Sequence, residues 1–174
     1  EAFNTLKQLF STMPVLRNFK DDAETVLIVD TSKIATGAVL TQKFEDNKLH
    51  PIGYYSAKLQ ATPAWSATEL ELKGLTLSIE HFREFLYGRK FTVYSDHHSL
   101  EYFREFKNHS SRLNKLSAKL VDYDFTVVYK KGNSVPIRTV DYMSRYPDEE
   151  KIDFISYIEP LNLEEEQQKD NEIS

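Results

Sequence analysis

Two aspartates in this sequence stand where a mixed α/β sheet would bring acidic side chains together. Asp30 ends the apolar, β-branched run ETVLIVD, and Asp96 ends the alternating run KFTVYSD. Both runs are predicted strands, and ligands bind at the carboxyl ends of the strands in sheets with parallel pairing. The sequence therefore predicts that Asp30 and Asp96 share one edge of the sheet.

Glu71 is predicted to reach the same edge from a long helix over residues 67–87. At about 100° per residue it lies one turn before Leu75, on the apolar stripe that faces the sheet. A buried carboxylate needs a partner, which leaves a lysine or arginine, water beyond the sheet edge, or a multivalent cation. Glu69 is instead interpreted as structural, because Ser66 and Glu69 have the spacing of a capping box.

A divalent cation would allow several carboxylates to share one place. Without a metal ion they would repel one another and raise their own pKa values. Oxygen ligands favour a hard ion such as Mg²⁺ or Mn²⁺ over Zn²⁺. A fourth acid, Asp141 in TVDYMSR, lies on the last predicted helix. Four carboxylates can hold two such ions, the arrangement that cleaves phosphodiesters by in-line displacement.

The elements that must position these acids form a three-stranded meander followed by alternating helices and strands. This order predicts a mixed sheet, antiparallel in one part and parallel in the other. The turn-like EDNK between the second and third strands indicates a hairpin. The predicted strands are 24–30, 35–44, 49–59, 90–96 and 125–132, and the predicted helices are 67–87, 99–106, 111–121 and 138–145.

The composition indicates a globular protein with one main domain, since 174 residues suffice for one sizeable core. No apolar run reaches the roughly 20 residues of a membrane span. The absence of cysteine excludes disulfides and thiolate metal sites. The chain opens on EAFNTLKQLF, without an initiator Met or a leader, so we expect a piece of a longer protein that starts with an amphipathic helix within residues 1–20.

The net charge of −5 is divided unevenly along the chain. Residues 147–174 contain ten acidic and two basic side chains, and the remainder contains 17 acidic and 20 basic ones. The acidic segment has the composition of a disordered linker. The mildly basic body is compatible with a polyanionic partner.

Several stretches along residues 1–146 match one known family in order. They are PVL, VDTSKIATGAVL, HPIGYYSAKL, ATELELKGL, FREFLYGRKFTVYSDHHSL, SRLNKLSAKLVDYDFTVVYKKG and VDYMSR. In these stretches the chain resembles the ribonuclease H domain of gypsy-type (Metaviridae) LTR-retrotransposon reverse transcriptases. The resemblance implies an α/β, ribonuclease-H-like fold with a mixed five-stranded sheet of order 3-2-1-4-5 flanked by helices. It also implies endonucleolytic hydrolysis of the RNA strand of RNA–DNA hybrids during reverse transcription, leaving 5′-phosphate and 3′-hydroxyl ends.

The resemblance also assigns the site. The four metal-binding acids of the family correspond to Asp30, Glu71, Asp96 and Asp141, and they imply two Mg²⁺ ions, for which Mn²⁺ can substitute. The chain departs from the family pattern in having DTS where Asp-Ala-Ser is usual, and in a longer loop, GNSVPIRTVDYMSR, before the last acid. None of the five histidines lies in that loop, in keeping with the gypsy-type pattern.

Domain boundaries, partners and location follow from the same resemblance. Residues 1–20 correspond to the end of the polymerase connection region, 21–146 to the ribonuclease H domain, and 147–174 to a linker towards the rest of the polyprotein. The implied partners are an RNA–DNA hybrid and the polymerase domain of the same polyprotein, with a dimer in the full enzyme as an option and no membrane. The implied location is the cytoplasm, within the virus-like particles of the element.

His97 and His98 directly follow Asp96. Adjacent side chains in an extended chain point in opposite directions, so the pair is a poor chelate, and without cysteine or a third ligand a zinc site is disfavoured. The resemblance makes His97 a family residue after the strand aspartate, interpreted as a group that orders the loop or bonds to the backbone. His97 and Ser32 are both predicted to lie just outside the set of metal ligands and to support it. His98 is either a surface residue or a phosphate contact.

Basic residues between the fourth and fifth strands are candidates for contacts with nucleic-acid phosphates. Arg112, beside a predicted helix start, is the preferred phosphate ligand, followed by Lys115 and Arg104. The alternative is an ordinary solvated helix face, which Glu101 and Glu105 favour for the first segment.

Two other functions remain open from the sequence. One is another nuclease or a transposase-like member of the same fold, because a fold does not determine its substrate. The other is a non-catalytic ribonuclease-H-like module that supports polymerase docking or subunit assembly. The gypsy-type motif order argues against the first, and the intact acids argue against the second.

Overall fold

Within the described residues, six strands form one mixed sheet. The structure is a computed structural model that describes residues 16–59, 65–102, 110–132, 134, 137 and 140, and the backbone of 153–155. The strands are β1 Thr25–Thr31, β2 Ala35–Lys43, β3 Leu49–Lys58, β4 Lys90–Ser95, β5 Asp124–Tyr129 and β6 Asp153–Ile155. Their order is β5-β4-β1-β2-β3-β6, in which β1, β4 and β5 pair in parallel and the other pairs are antiparallel. The first five strands confirm the predicted order 3-2-1-4-5.

β6 extends the sheet beyond β3, with Ile155 opposite Gly53 and Asp153 opposite Tyr55. Asp153–Ile155 therefore form a strand, although the composition of residues 147–174 predicts a disordered linker. The physical reason is that β3 would otherwise present an edge of unpaired N–H and C=O groups, which a short extended segment satisfies. The other residues of 147–174 lie outside the described part of the chain.

The chain segment before β1 packs onto the sheet. The Gln42 side chain accepts from the Lys20 N–H at 2.8 Å and donates to the Lys20 carbonyl at 2.7 Å. Phe19 packs against the main core. The folded unit thus includes residues just before the predicted boundary at 21. The helix predicted within residues 1–20 falls on the undescribed residues 1–15.

Two helices replace the one predicted over residues 67–87. They are α1 Ala67–His81 and the short α2 Arg83–Leu86, separated at Phe82, whose φ of −90° and ψ of 22° leave the helical region. Helical periodicity cannot reveal this break, because Phe82 and Leu86 share a face whether or not the helix is continuous. Gly88 has a φ of +75°, as predicted for a residue that ends a helix.

The remaining described helices lie between β4 and β5. A 3-10 helix, His98–Tyr102, follows β4, and α3, Ser111–Lys119, precedes β5. α3 falls inside the predicted helix 111–121, and the 3-10 helix begins one residue before the predicted segment 99–106. Of the last predicted helix, the structure describes Ile137 and Val140, and both are helical.

Alternation along β1 divides the core into two layers. Leu27 and Val29 face α1 and belong to the main core, whereas Val26 and Ile28 face the opposite side and pack with Val140. Both faces of the sheet are therefore covered, which explains the near-continuous apolar sequence of β1. No helix in the described ranges is both long and apolar enough to cross a membrane.

Candidate active site

Asp30 and Asp96 are neighbours at one edge of the sheet. β1 and β4 are parallel with Ile28 opposite Tyr94. Asp30 and Asp96 each lie two residues further along, so they occupy adjacent positions on the same face. Adjacent strands are about 4.8 Å apart, which places the two acids side by side at this edge. Asp30 is buried, with 7% of its surface exposed, and Asp96 is half-buried.

Glu71 approaches the two aspartates from α1 and is also buried, with 8% exposed. Desolvation, followed by repulsion from Asp30 and from Asp96, raises the pKa of Glu71 to about 8, against a smaller opposing effect of a hydrogen bond with Thr31. Its Oε2 is buried and has no hydrogen-bond partner among the described residues. Within that part of the chain, neither a lysine nor an arginine forms an ion pair with this carboxyl.

The donor set fits a divalent cation. All three side chains offer carboxylate oxygens, the ligands that Mg²⁺ and Mn²⁺ prefer. Glu71 Oε2 is an unsatisfied buried acceptor, and the two aspartates supply the negative charge beside it. A bound cation would offset the repulsion that raises the pKa of Glu71. Across the described ranges, no three acidic or histidine side chains already enclose a space suited to a metal ion.

Gly132, which the sequence analysis missed, brings the loop after β5 against Asp96. A Cβ at this position would lie 2.9 Å from Asp96 Oδ2, closer than real Cβ contacts come. The Lys130 N–H donates to the Ser95 carbonyl at 2.8 Å, so β4–β5 pairing continues almost to the acid. In the sequence, Gly132 directly follows β5 and the two lysines after it. A glycine at such a position often marks a place where another part of the chain comes close to the backbone.

His97 and Ser32 order the turns that follow the two acidic strand ends. The His97 N–H donates to Ser95 Oγ at 3.1 Å, and its carbonyl accepts from the Leu100 N–H at 3.1 Å. Ser32 Oγ accepts from the Ala35 N–H at 3.1 Å in the β1–β2 turn. His97 thus orders its loop through its main-chain N–H and carbonyl. The sequence did not show whether the main chain or the imidazole would make these bonds.

His98 lies on the surface near the acidic edge. Its side chain is 64% exposed, and Nδ1 lies 2.9 Å from Glu101. The imidazole stacks on Tyr129 at a centroid distance of 4.9 Å and on Tyr102 at 5.9 Å. Of the two interpretations drawn from the sequence, the structure establishes the surface position, which leaves the ring accessible to a ligand.

Arg112 joins a polar junction between α1 and α3. Its Nη1 lies 3.7 Å from Glu69 Oε2, and its guanidinium lies over the Trp65 ring at 5.2 Å. Glu69 Oε1 also accepts from Ser110 Oγ at 2.7 Å, and Glu69 completes the predicted capping box with Ser66. The backbone hydrogen bond from Ser66, followed by the bond from Ser110, holds the pKa of Glu69 below its usual value.

The remaining predicted site residues are Lys115, Asp141 and Arg104. Lys115 is exposed on α3. Asp141 and Arg104 lie outside the described residues. Val140, which precedes Asp141, is fully buried on the sheet face that also carries Ile28 and Tyr94, the residues two positions before Asp30 and Asp96.

Comparison with known proteins places this chain in a family. The family model of the RNase H-like domain found in reverse transcriptases matches residues 20–123, a range that includes Asp30, Glu71 and Asp96. The chain belongs to this family. The RNase H-like domain is also 30% identical over 173 residues to the Transposon Tf2-3 and Tf2-4 polyproteins of Schizosaccharomyces pombe, covering 94% of this chain and 13% of each relative. It therefore spans about an eighth of the length of these curated relatives.

Solved structures establish the fold of this RNase H-like domain. The native Prototype Foamy Virus protease–reverse transcriptase aligns with a TM-score of 0.56 and 17% identity, over 76% of this chain and 18% of that one. LC11-RNase H1 in complex with an RNA/DNA hybrid aligns with a TM-score of 0.51 and 12% identity, over 69% of this chain and 93% of that one. The ribonuclease-H-like architecture predicted from the sequence is thus confirmed.

Proposed function

We propose that this RNase H-like domain hydrolyses the RNA strand of RNA–DNA hybrids, cutting internally, within a retrotransposon reverse transcriptase. The observation that carries the proposal is the convergence of Asp30, Glu71 and Asp96 at one sheet edge, where burial and repulsion raise the pKa of Glu71 to about 8. A carboxyl so perturbed by specific charges is typical of a functional site. Family membership supports the proposal, as do RNA/DNA-hybrid complexes of a foamy viral protease–reverse transcriptase and of LC11-RNase H1.

Asp30, Glu71 and Asp96, with Asp141 as the fourth acid, would hold two Mg²⁺ ions, and Mn²⁺ can substitute. When bound, such ions supply an activated water and stabilise the charge that develops on the departing oxygen. The reaction adds water across one P–O3′ bond of the RNA strand, so the products carry a 5′-phosphate and a 3′-hydroxyl. Asp141 is included because its motif, VDYMSR, corresponds to the segment that carries the fourth acid in the family that the sequence resembles.

The contribution of the protein is to hold the carboxylates close together before substrate arrives. Parallel pairing of β1 with β4 positions Asp30 and Asp96, and the packing of α1 on the sheet positions Glu71. The free energy needed to bury the Glu71 carboxyl beside Asp30 and Asp96 is supplied by folding, so it does not have to be supplied during the reaction.

Arg112, Lys115, Arg104 and His98 are the proposed contacts to phosphates of the hybrid. Such contacts confer affinity that falls with salt and carry no sequence preference. A phosphate at Arg112 would compete with Glu69 for the guanidinium. The Arg112 side chain is 45% exposed, so a phosphate can reach it. The same proposal places the domain beside the polymerase domain of its polyprotein, with a dimer as an option for the full enzyme, in the cytoplasm within virus-like particles.

Cleavage of three labelled substrates tests the proposal. The chain is incubated with an RNA–DNA hybrid, duplex RNA and duplex DNA, each with Mg²⁺ or with a chelator, and hybrid binding is measured in parallel by fluorescence anisotropy. We expect Mg²⁺-dependent loss of RNA from the hybrid alone. Cutting of duplex DNA would support another nuclease of the same fold. Tight hybrid binding without cleavage would support a non-catalytic module.

An acid variant and a matched control assign the activity to the site. Asp96→Asn should reduce the cleavage rate by at least about 100-fold, because several kcal/mol of transition-state stabilisation depend on the ions. Asp122→Asn, at an exposed position between α3 and β5, should cleave at the unsubstituted rate. Retained activity in Asp96→Asn would refute the proposed site.

A further inference from the structure

Two exposed tyrosines stack on one histidine beside the acidic edge. The His98 imidazole lies 4.9 Å from the Tyr129 ring and 5.9 Å from the Tyr102 ring, measured between centroids, and both pairs are within 17° of parallel. Tyr102 is 47% exposed and Tyr129 is 37% exposed. We call these three residues the aromatic stack. An exposed group of aromatic rings is more typical of a binding surface than of core packing.

Glu101 holds the aromatic stack in this arrangement. Its Oε1 accepts from the Tyr129 N–H at 2.8 Å, and its Oε2 lies 2.9 Å from His98 Nδ1. The carboxylate thus fixes the histidine on the 3-10 helix to the end of β5. Because the rings are held nearly parallel before a ligand binds, little side-chain freedom is lost on binding.

Two lysines directly follow Tyr129 and supply positive charge beside the aromatic stack. Lys130 Nζ lies 4.8 Å from the centre of the Tyr94 ring, and Lys131 is exposed. Among the described residues, neither lysine forms an ion pair. The phosphates of a nucleic-acid backbone would provide a counter-charge for both.

The aromatic stack lies beside the proposed cleavage site. His98 is two residues after Asp96 in the sequence. On the other side, the chain that follows Tyr129 returns to the same acid at Gly132, where an added Cβ would lie 2.9 Å from Asp96 Oδ2. A nucleic-acid strand that passes the acids therefore also passes the aromatic stack.

The combination of rings and charges indicates the class of ligand. Exposed, parallel rings accept another flat ring, and lysines beside them accept phosphate, which is how proteins hold single-stranded nucleic acids. Within a duplex, each base is already paired and stacked on its neighbours, so its face becomes available only at the cost of unstacking. An unpaired base does not carry this cost.

We propose that the aromatic stack, together with Lys130 and Lys131, binds an unpaired nucleotide that adjoins the hybrid. The base extends the stack at Tyr102, the more exposed of the two tyrosines, and the lysines contact the backbone phosphates. This inference takes the hybrid from the proposed function and adds a subsite for the single-stranded segment next to it. Binding at this subsite requires neither metal ions nor cleavage, so it can be measured in a chelator.

Fluorescence anisotropy with three labelled hybrids of equal duplex length tests the proposal, using the whole chain in EDTA. One hybrid is blunt, one has a short single-stranded overhang, and one has an abasic overhang with the same number of phosphates. The chain should bind the overhang about 10-fold more tightly than the abasic overhang, a gain typical of one stacked base. RNA and DNA overhangs should give the same gain, because every base has a face that can stack.

Substitutions separate the ring from the charges. Tyr102→Leu removes the aromatic ring and should abolish the gain, whereas Tyr102→Phe keeps the ring and should retain it. Lys131→Gln should weaken binding of the overhang and of the abasic overhang by a similar factor, because it removes a phosphate contact. Tyr87→Leu is the matched control and should change no affinity, since Tyr87 is 48% exposed but follows α2, with its ring against Tyr123. Thermal unfolding reports the fold of each variant.

The possible results separate this inference from the proposed function. Equal affinity for the overhang and the abasic overhang would show that no base is bound, and the inference fails. It fails equally if the gain survives Tyr102→Leu, if Tyr102→Phe also loses the gain, or if only one kind of sugar gives it. Absence of binding to all three hybrids would overturn it as well. Cleavage of the hybrid in Mg²⁺ is a separate measurement, and the proposed function is decided by that result.

Discussion

The raised pKa of Glu71 predicts an unusual dependence of stability on pH, which Glu71→Gln should abolish. In the unfolded chain this carboxyl titrates near 4.5, and in the folded metal-free domain near 8. Between these values the folded state retains a proton that the unfolded state releases, so the contribution of Glu71 to stability falls as pH rises through this window and levels off above pH 8. Glutamine resembles the protonated carboxyl in shape and does not titrate.

The linkage relation converts the two pKa values into a magnitude. From pH 5 to pH 8.5, the unsubstituted domain should lose about 4 kcal/mol of unfolding free energy relative to Glu71→Gln. At pH 5 the two proteins should differ by about 1 kcal/mol, and at pH 8.5 the variant should be clearly the more stable. Titrating groups away from Glu71, Asp30 and Asp96 are common to both proteins, so their contributions cancel in the comparison.

Urea denaturation in EDTA, followed by far-ultraviolet circular dichroism at pH 5, 6, 7, 8 and 8.5, measures this difference. Glu84→Gln, at an exposed position on α2, is the matched control and should follow the unsubstituted protein at every pH. Parallel curves for the unsubstituted protein and Glu71→Gln would refute the reasoning, because they would show that Glu71 is neither desolvated nor repelled by Asp30 and Asp96.

Three further predictions follow from contacts elsewhere in the fold. Gly132→Ala should weaken Mn²⁺ binding by about 10-fold in calorimetry, because the new Cβ would displace Asp96 Oδ2. Unchanged affinity would show that the loop moves and Asp96 does not. Ser66→Ala should lower the unfolding free energy in urea by about 1 kcal/mol through loss of the α1 capping box, and a change below 0.3 kcal/mol would contradict that role. Truncation after residue 146 should accelerate amide hydrogen exchange in β3 at Gly53–Tyr55 while leaving β1 protected, whereas equal protection would show that β6 does not pair in solution.

The sequence determined the elements whose signals are local. Alternating and continuous apolar runs marked the strands that carry Asp30 and Asp96, and both ends were located within one residue. The spacing of Ser66 and Glu69 marked the start of α1, and the structure contains the complete capping box. The helical period placed Glu71 on the buried face, where it lies. Each of these features depends on residues at most a few positions apart, so its pattern is visible in one dimension.

The tertiary structure decided which distant side chains meet. Gly74 against Thr31, Gly132 against Asp96, and Arg112 beside Glu69 each join segments whose spacing along the chain has no periodic signature. The same holds for the edge of β3, which becomes a partner for β6 because the sheet leaves its backbone groups unpaired. Local sequence reports which face of an element is apolar, whereas the register of β1 with β4 and the depth at which α1 rests on the sheet are set by packing of the whole core. For this reason, Asp30, Glu71 and Asp96 could be assigned to their strands and helix from the sequence, whereas the groups that contact them could not.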